Sequence, residues 1–366
     1  MASPNTSANP PLLRRSAIAL EHALHSLWRP WTRLLGWRAP RSIVAYRSYG
    51  TQSEAWVRGR VLGNRAEARA LTTDSCIETL KHTWNRWMTY EVPDAQVKVH
   101  FEGQEQLVTA DKDGFFEARF ERQGRAPDQT TWLEAQSTTH GPDGAVHATH
   151  EVLIPGANAE RLLISDIDDT VIHTGATKFF TITRLTFFTN VHRRRVFDDV
   201  APLYAQLATA GGQPEANPIF YVSSSAWNLY GLIERILTLG LVPRGPLMFQ
   251  QLGLANNRFV REPGHRHKLM KVESLLATYP ELPVLLIGDT GQHDARLYAD
   301  AVRRNPGRIQ EVHLREVEAD QGTPHDLMIR EALDEMRAAG VLATRSRNLR
   351  DAIGGQDRPL PPNDSP

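Results

Sequence analysis

The chain contains a single cysteine, Cys76, in 366 residues. An intramolecular disulfide framework is therefore excluded, and a reducing compartment suits the chain. There is no excess of charge: 42 Lys and Arg balance 42 Asp and Glu. That removes the basic footprint of a nucleic-acid-binding protein, and no nucleic-acid partner is expected. No apolar run approaches the roughly 20 residues a membrane-spanning helix needs. A P-loop, a G-x-S-x-G elbow, an H-E-x-x-H helix and paired C-x-x-C motifs are all missing, so the best-marked routes to nucleotide, esterase and zinc chemistry are closed. Cys76 has no motif around it and reads as a half-buried helix residue rather than a nucleophile. The expected location is cytoplasmic, with a peripheral position on a membrane surface left open.

What the chain does have is carboxylates at strand ends. Leu162-Leu-Ile-Ser-Asp166-Ile-Asp168-Asp169-Thr170 is an apolar run that stops in D-x-D-x-T. In open α/β sheets the carboxyl end of a buried strand is where ligands sit. Close carboxylates resist ionisation unless a cation or donors compensate, and a hard, oxygen-preferring ion such as Mg²⁺ is the natural compensator. Alone, such a turn reads as a solvated acidic loop. Two further runs weigh against that: Pro218-Ile-Phe-Tyr-Val-Ser223-Ser224-Ser225, and Leu282 through Gly288-Asp289 to Asp294. Between them Lys268 and Lys271 open a helix-patterned stretch.

Taken in order, Asp-x-Asp, Ser, Lys and Gly-Asp-x4-Asp resemble the haloacid dehalogenase superfamily of phosphoryl-transfer enzymes. The longer runs Asp166 to Gly175, Tyr221 to Asn228 and Gly288 to Asp294 with Tyr298 are similar to one branch. That branch contains the catalytic domain of the fungal actin-patch-associated phosphatidate phosphatase and bacterial relatives, and the similarity covers about residues 160 to 317. It implies Mg²⁺-dependent hydrolysis of a phosphomonoester, phosphatidate or a related lipid phosphate. It further implies that Asp166 is the nucleophile and Asp168 the acid and base. Ser223 and Lys268 would hold the phosphate. Asp166, Asp289 and the Asp168 carbonyl would hold the metal, with Asp294 and Thr170 in support. Ser224, Ser225 and Lys271 are alternatives to Ser223 and Lys268. His173, His265, His267 and His293 read as polar rim residues, since no zinc-type ligand cluster backs them.

Two segments bear on the partner, an anionic phospholipid or other phosphate ester. Residues 1–50 hold seven arginines against Glu21 alone, and residues 11–38 read either as an amphipathic membrane-surface helix or as a helix packing its Trp and Leu face on the protein. The Arg-rich start also resembles a transit peptide. Residues 178–195 mix aromatics with Arg193, Arg194 and Arg195, and read as a lipid-facing lid or as a packing helix.

The domain order expected is a basic N-terminal segment (1–40), a β-sandwich-like domain with a helical insertion (41–156), a phosphatase domain (157–318), and a C-terminal helix with a disordered tail (319–366). The fold class expected is α/β: a doubly wound parallel sheet of the haloacid dehalogenase type, preceded by a small antiparallel β-sandwich. Two other functions compete with lipid phosphate hydrolysis. One is a phosphatase for a soluble sugar phosphate or nucleotide, and the other is a non-enzymatic adaptor at a membrane surface.

Overall fold

The computed structural model describes residues 40–63, 91–123, 127–173, 196–250, 264–291, 293–317 and 322–353. The amphipathic segment 11–38, the helix expected over 66–90 with Cys76, the stretch 178–195 and the tail beyond 353 lie outside the described residues.

The first eight strands are β1 (Ser42–Ala45), β2 (Ser48–Gly50), β3 (Glu54–Leu62), β4 (Gln96–Phe101), β5 (Gln104–Thr109), β6 (Phe115–Glu121), β7 (Thr131–Gly141) and β8 (Gly144–Ile154). The longer of them alternate as half-buried strands should. In β4, Val97, Val99 and Phe101 are buried while Gln96, Lys98 and His100 are exposed. The inward set packs with Val57, Phe116, Phe120, Val152 and Ile154 into one apolar core. The order is β1-β3-β2-β8-β7-β4-β5, with β6 also on β3. Every pairing is antiparallel except β2 with β8. The turn Asp111–Gly114 reverses the chain, with Asp111 N bonded to the Phe115 carbonyl at 2.7 Å. The flanking strands then part, β5 to β4 and β6 to β3.

The second sheet is all parallel. It contains β9 (Leu162–Asp166), β10 (Ile219–Ala226), β11 (Leu247–Gln250), β12 (Val284–Asp289), β13 (Ile309–Arg315) and β14 (Leu342–Ser346), in the order β11-β10-β9-β12-β13-β14. Its helices are α1 (Val200–Leu207), α2 (Tyr230–Leu239), α3 (Gly264–Thr278), α4 (Asp294–Arg304), α5 (Pro324–Ala338) and α6 (Leu349–Ile353). β9 and β12 are buried along their whole length, as strands covered on both faces must be. Residues of α3, α4 and α5 pack with Leu162, Ile164 and Leu286, and residues of α1, α2 and α6 pack with Leu163, Leu285 and Ile287. α5 starts sharply because Thr323 caps the Asp326 amide and Pro324 occupies the first helical position.

These sheets correct the expected fold class, the doubly wound haloacid dehalogenase-type sheet preceded by a small antiparallel β-sandwich. The larger sheet is a single connected one of eight strands, antiparallel-dominated but mixed, and the six-stranded parallel sheet stands separate from it. The chain is an α/β mix of these two sheets. The physical reason lies in β2, three residues long and too short to show a period. It hydrogen-bonds to β3 on one side and to β8 on the other, joining strands that local patterning divides into two layers.

Candidate active site

The register brings the motifs to one edge. Asp166 ends β9 level with Val222 of β10, so Ser223 lies one step beyond it. Ser165 is level with Ile287 of β12, so Gly288 and Asp289 follow at the height of Asp166. The strand order leaves β9 in both directions, toward β10 and toward β12. Such a switch point opens a crevice at the carboxyl ends of the strands.

Three carboxylates meet there. Asp166, Asp289 and Asp294 are all buried, and one oxygen from each lies within 4.8 Å of the others. Lys268, from the first half of α3, enters between them, its ammonium 2.7 Å from Asp166 Oδ1 and 2.9 Å from Asp294 Oδ1. Burial pushes the Asp166 carboxyl well above the usual range. Lys268 opposes the shift, while Asp294, Asp289 and Asp168 add to it. Burial pulls the Lys268 ammonium down, but Asp166, Asp294 and Asp289 outweigh it and hold it above its ordinary value. One ammonium does not balance three carboxylates. A purely oxygen donor set with surplus negative charge fits a hard divalent cation.

The backbone that carries these groups is tightly constrained. After β9 the chain folds back: the Val171 and Ile172 amides donate to the Ile167 carbonyl and the Asp169 amide to that of Ile172, with Asp169 at φ 57°. An aspartate tolerates that left-handed position better than a branched residue would. The reversal brings the Thr170 hydroxyl to Asp166 Oδ2, at a long 3.4 Å. On β12, a Cβ at Gly288 would stand 2.7 Å from the Tyr298 ring and 2.8 Å from Asp294 Oδ2. Only glycine leaves room for both. Tyr298 is fixed by its hydroxyl, which donates to the Ile287 carbonyl at 2.9 Å.

Asp168 faces the other side of the crevice. Its Oδ2 accepts from Ser223 Oγ at 2.8 Å and from Ser225 Oγ at 3.2 Å, and the Ser225 amide donates to Ser223 Oγ at 2.9 Å. Ser223 and Ser225 thus converge on Asp168. Lys271 lies elsewhere. It is lowered by burial and by the nearby Arg58, on the side of α3 that faces the mixed sheet. Among the histidines, His173 is exposed beside Phe197, His267 reaches the Phe249 carbonyl at 3.2 Å, and His293 directly precedes α4.

Sequence reasoning missed Arg315. It ends β13 and is buried, donating to the Thr170 carbonyl at 2.9 Å, to the Arg347 carbonyl at 3.0 Å and to both oxygens of Asp199 at 2.9 and 3.0 Å. Its guanidinium also lies over Phe197, 4.0 Å from the ring centroid. A charge closing an apolar parallel strand, as in Val312-His-Leu-Arg315, was the available signal. His325, at the start of α5, was missed as well. Its Nε2 lies 2.6 Å from the Thr290 carbonyl, next to Asp289.

A family model described as the catalytic domain of phosphatidate phosphatase APP1 matches residues 161–316. Phosphatidate phosphatase APP1 of Saccharomyces cerevisiae is 28% identical over 157 residues, which are 42% of this chain and 25% of that protein. The chain therefore spans about a quarter of the curated relative it matches. Among solved structures, a carbohydrate acetylesterase from Xanthomonas citri is 14% identical over 80% of this chain and 72% of its own, with a TM-score of 0.26. The twitchin kinase region of C. elegans is 10% identical over 31% of this chain and 16% of its own, at 0.18. Scores this low carry no weight for the fold. The resemblance to the phosphatidate phosphatase branch, read from the motifs, holds over 161–316.

Proposed function

We propose that this chain is a phosphoric monoester hydrolase that dephosphorylates phosphatidate or a related lipid phosphate, giving diacylglycerol and phosphate. The observation that carries it is the crevice itself, where Asp166, Asp168, Ser223, Lys268, Asp289 and Asp294 converge within the region that matches a phosphatidate phosphatase catalytic domain.

In this reading an Asp166 oxygen attacks phosphorus as the bond to the lipid alkoxide breaks, and Asp168 gives that alkoxide its proton. Asp168 then takes a proton from water. The water oxygen bonds to phosphorus, the Asp166–phosphorus bond breaks, and orthophosphate leaves. Lys268 offsets charge on the phosphoryl oxygens and the Ser223 hydroxyl donates to one of them. The Ser225 hydroxyl helps hold Asp168 in place. Asp166, Asp289 and the Asp168 carbonyl would hold Mg²⁺, with Asp294 in support, and the ion would supply positive charge to the phosphoryl oxygens. The lipid preference draws on the basic stretch that holds Arg193, Arg194 and Arg195. Peripheral association with an anionic membrane would follow from the same charges. No helix among the described residues is long and apolar enough to cross a membrane.

The test is a panel of phosphate esters with Mg²⁺ and with a chelator. Vesicle phosphatidate should turn over faster than sugar phosphates or nucleotides, and chelation should stop all turnover. Preference for a sugar phosphate or nucleotide would make the substrate a soluble one. Turnover of none would leave the adaptor, and turnover that survives chelation would remove the metal.

A further inference from the structure

The mixed sheet contributes none of the groups assigned to the chemistry, yet its side chains grip the turn that follows the serines. Arg60 on β3 is buried, and its guanidinium is fully directed. Nη1 donates to Asn228 Oδ1 at 2.7 Å, Nε to the Asp113 carbonyl at 2.8 Å and Nη2 to Glu91 Oε1 at 3.1 Å. Its flat face lies 4.4 Å from the centroid of Phe115. Asn228 stands three residues beyond Ser225, in a single 3-10 turn, Trp227–Leu229, that leads into α2. The neighbouring Trp227 ring is packed from both sheets, with Tyr46 at 4.4 Å and Phe115 at 5.9 Å from one, and Phe249 at 5.5 Å from the other. The Arg47 amide adds a bond to the Tyr230 hydroxyl at 2.8 Å. The stretch from Ser223 to Tyr230 is therefore pinned at both ends, by Asp168 inside the crevice and by the mixed sheet outside it.

We propose that Arg60 is a positioning residue for hydrolysis. Through Asn228 it sets the turn that aims Ser223 and Ser225 at Asp168, which makes the mixed sheet part of the catalytic apparatus. The proposal rests on the roles proposed for Asp168 and Ser223. Placement at this range matters, since an error of about 1 Å can cost on the order of a hundredfold in rate. The forked guanidinium fixes direction as well as charge, which a lysine ammonium does not.

The experiment uses the full chain with dioctanoyl phosphatidate and Mg²⁺, comparing Arg60→Ala, Arg60→Lys, Asn228→Ala and the double alanine variant. Arg119→Ala, an exposed arginine of the same sheet paired with Glu54, is the control. Each alanine variant should lower kcat about tenfold with a smaller change in KM, and the double variant should be no worse than Arg60→Ala. Arg60→Lys should not restore kcat, and Arg119→Ala should match the wild type. Amide hydrogen exchange should quicken over 223–229 in Arg60→Ala while β9 and β12 keep their protection. Unchanged kcat and exchange, additive losses, or exchange that quickens through both sheets together would each overturn the proposal. Should Arg60→Ala fail to fold, the exposed Asn228 tests the same contact. The exchange arm does not need turnover. A wild-type chain inactive on every ester would remove the hydrolase reading and still leave exchange to decide whether Arg60 holds the turn.

Discussion

Asp166 and Asp168 are separated by Ile167 alone but face different partners: Lys268 on one side, the hydroxyls of Ser223 and Ser225 on the other. That split assigns separable defects to the two carboxylates. Asp168→Asn removes the proton carrier but leaves the Lys268 contact of Asp166 in place. It should slow phosphatidate hydrolysis by a factor on the order of 10² to 10⁴. 4-Nitrophenyl phosphate, whose leaving group needs no proton, should suffer much less in the step that forms the intermediate. Burst kinetics on both esters measure this, and equal loss of the first step on both would reassign Asp168. Gly288→Ala makes a steric prediction. The added methyl meets Tyr298 and the Asp294 carboxylate, and crowding of this kind costs about 1–3 kcal/mol. Calorimetric titration with Mg²⁺ should show weakened binding, and undiminished binding would mean that Asp294 has no part in holding the ion.

At the scale of elements, strands were legible where burial imposes a pattern. Leu162–Asp166 and Val284–Asp289 announce themselves as continuous apolar runs that end in charge, and both are buried throughout. β14 was not legible. Leu342-Ala-Thr-Arg-Ser346 is short and ends in three polar residues, and its strand state comes from pairing with β13 rather than from its own pattern. The carboxylates of the site were readable for the same reason as β9 and β12. Arg315 and Arg60 were not, because an arginine's role depends on which elements fold around it. Arg315 ties the loop after β9 to Asp199 before α1 and to the chain before α6. Its removal would leave Asp199 without its buried partner. Arg315→Ala should cost about 3–5 kcal/mol in urea unfolding, and a loss below about 1 kcal/mol would contradict this tie. In the mixed sheet, burial lowers the His150 imidazole to about 4 from 6.5, with Nε2 2.8 Å from Ser137 Oγ. Between those values the unfolded chain binds the proton and the folded chain does not. The stabilisation is complete above about pH 6.5 and is lost as the pH falls toward 4, on the order of 2–3 kcal/mol. His150→Gln should narrow the gap in urea midpoint between pH 7.5 and 4.5, and an unchanged gap would place the acid sensitivity elsewhere.

For the whole molecule, the matched region begins after the mixed sheet ends: residues 161–316 carry the crevice, and the strands between residues 42 and 154 form a sheet outside the match. Local sequence could not place that sheet against the parallel one. The contacts that do so, Tyr279 Oη to the Gly50 carbonyl at 3.0 Å and Arg60 to Asn228 at 2.7 Å, join residues more than 150 positions apart. The claim on which the functional account depends is nonetheless a single bond, between an Asp166 oxygen and phosphorus. The most direct measurement is acid-quenched single turnover of phosphatidate labelled with ³²P, in Mg²⁺, by the wild type, Asp166→Asn and Asp168→Asn, followed by peptide mapping of the label. The expectation is a hydroxylamine-labile label on Asp166: transient in the wild type, slow to form but persistent in Asp168→Asn, and never formed in Asp166→Asn. Phosphate released by Asp166→Asn at the wild-type rate, or a label mapped to another residue, would contradict it.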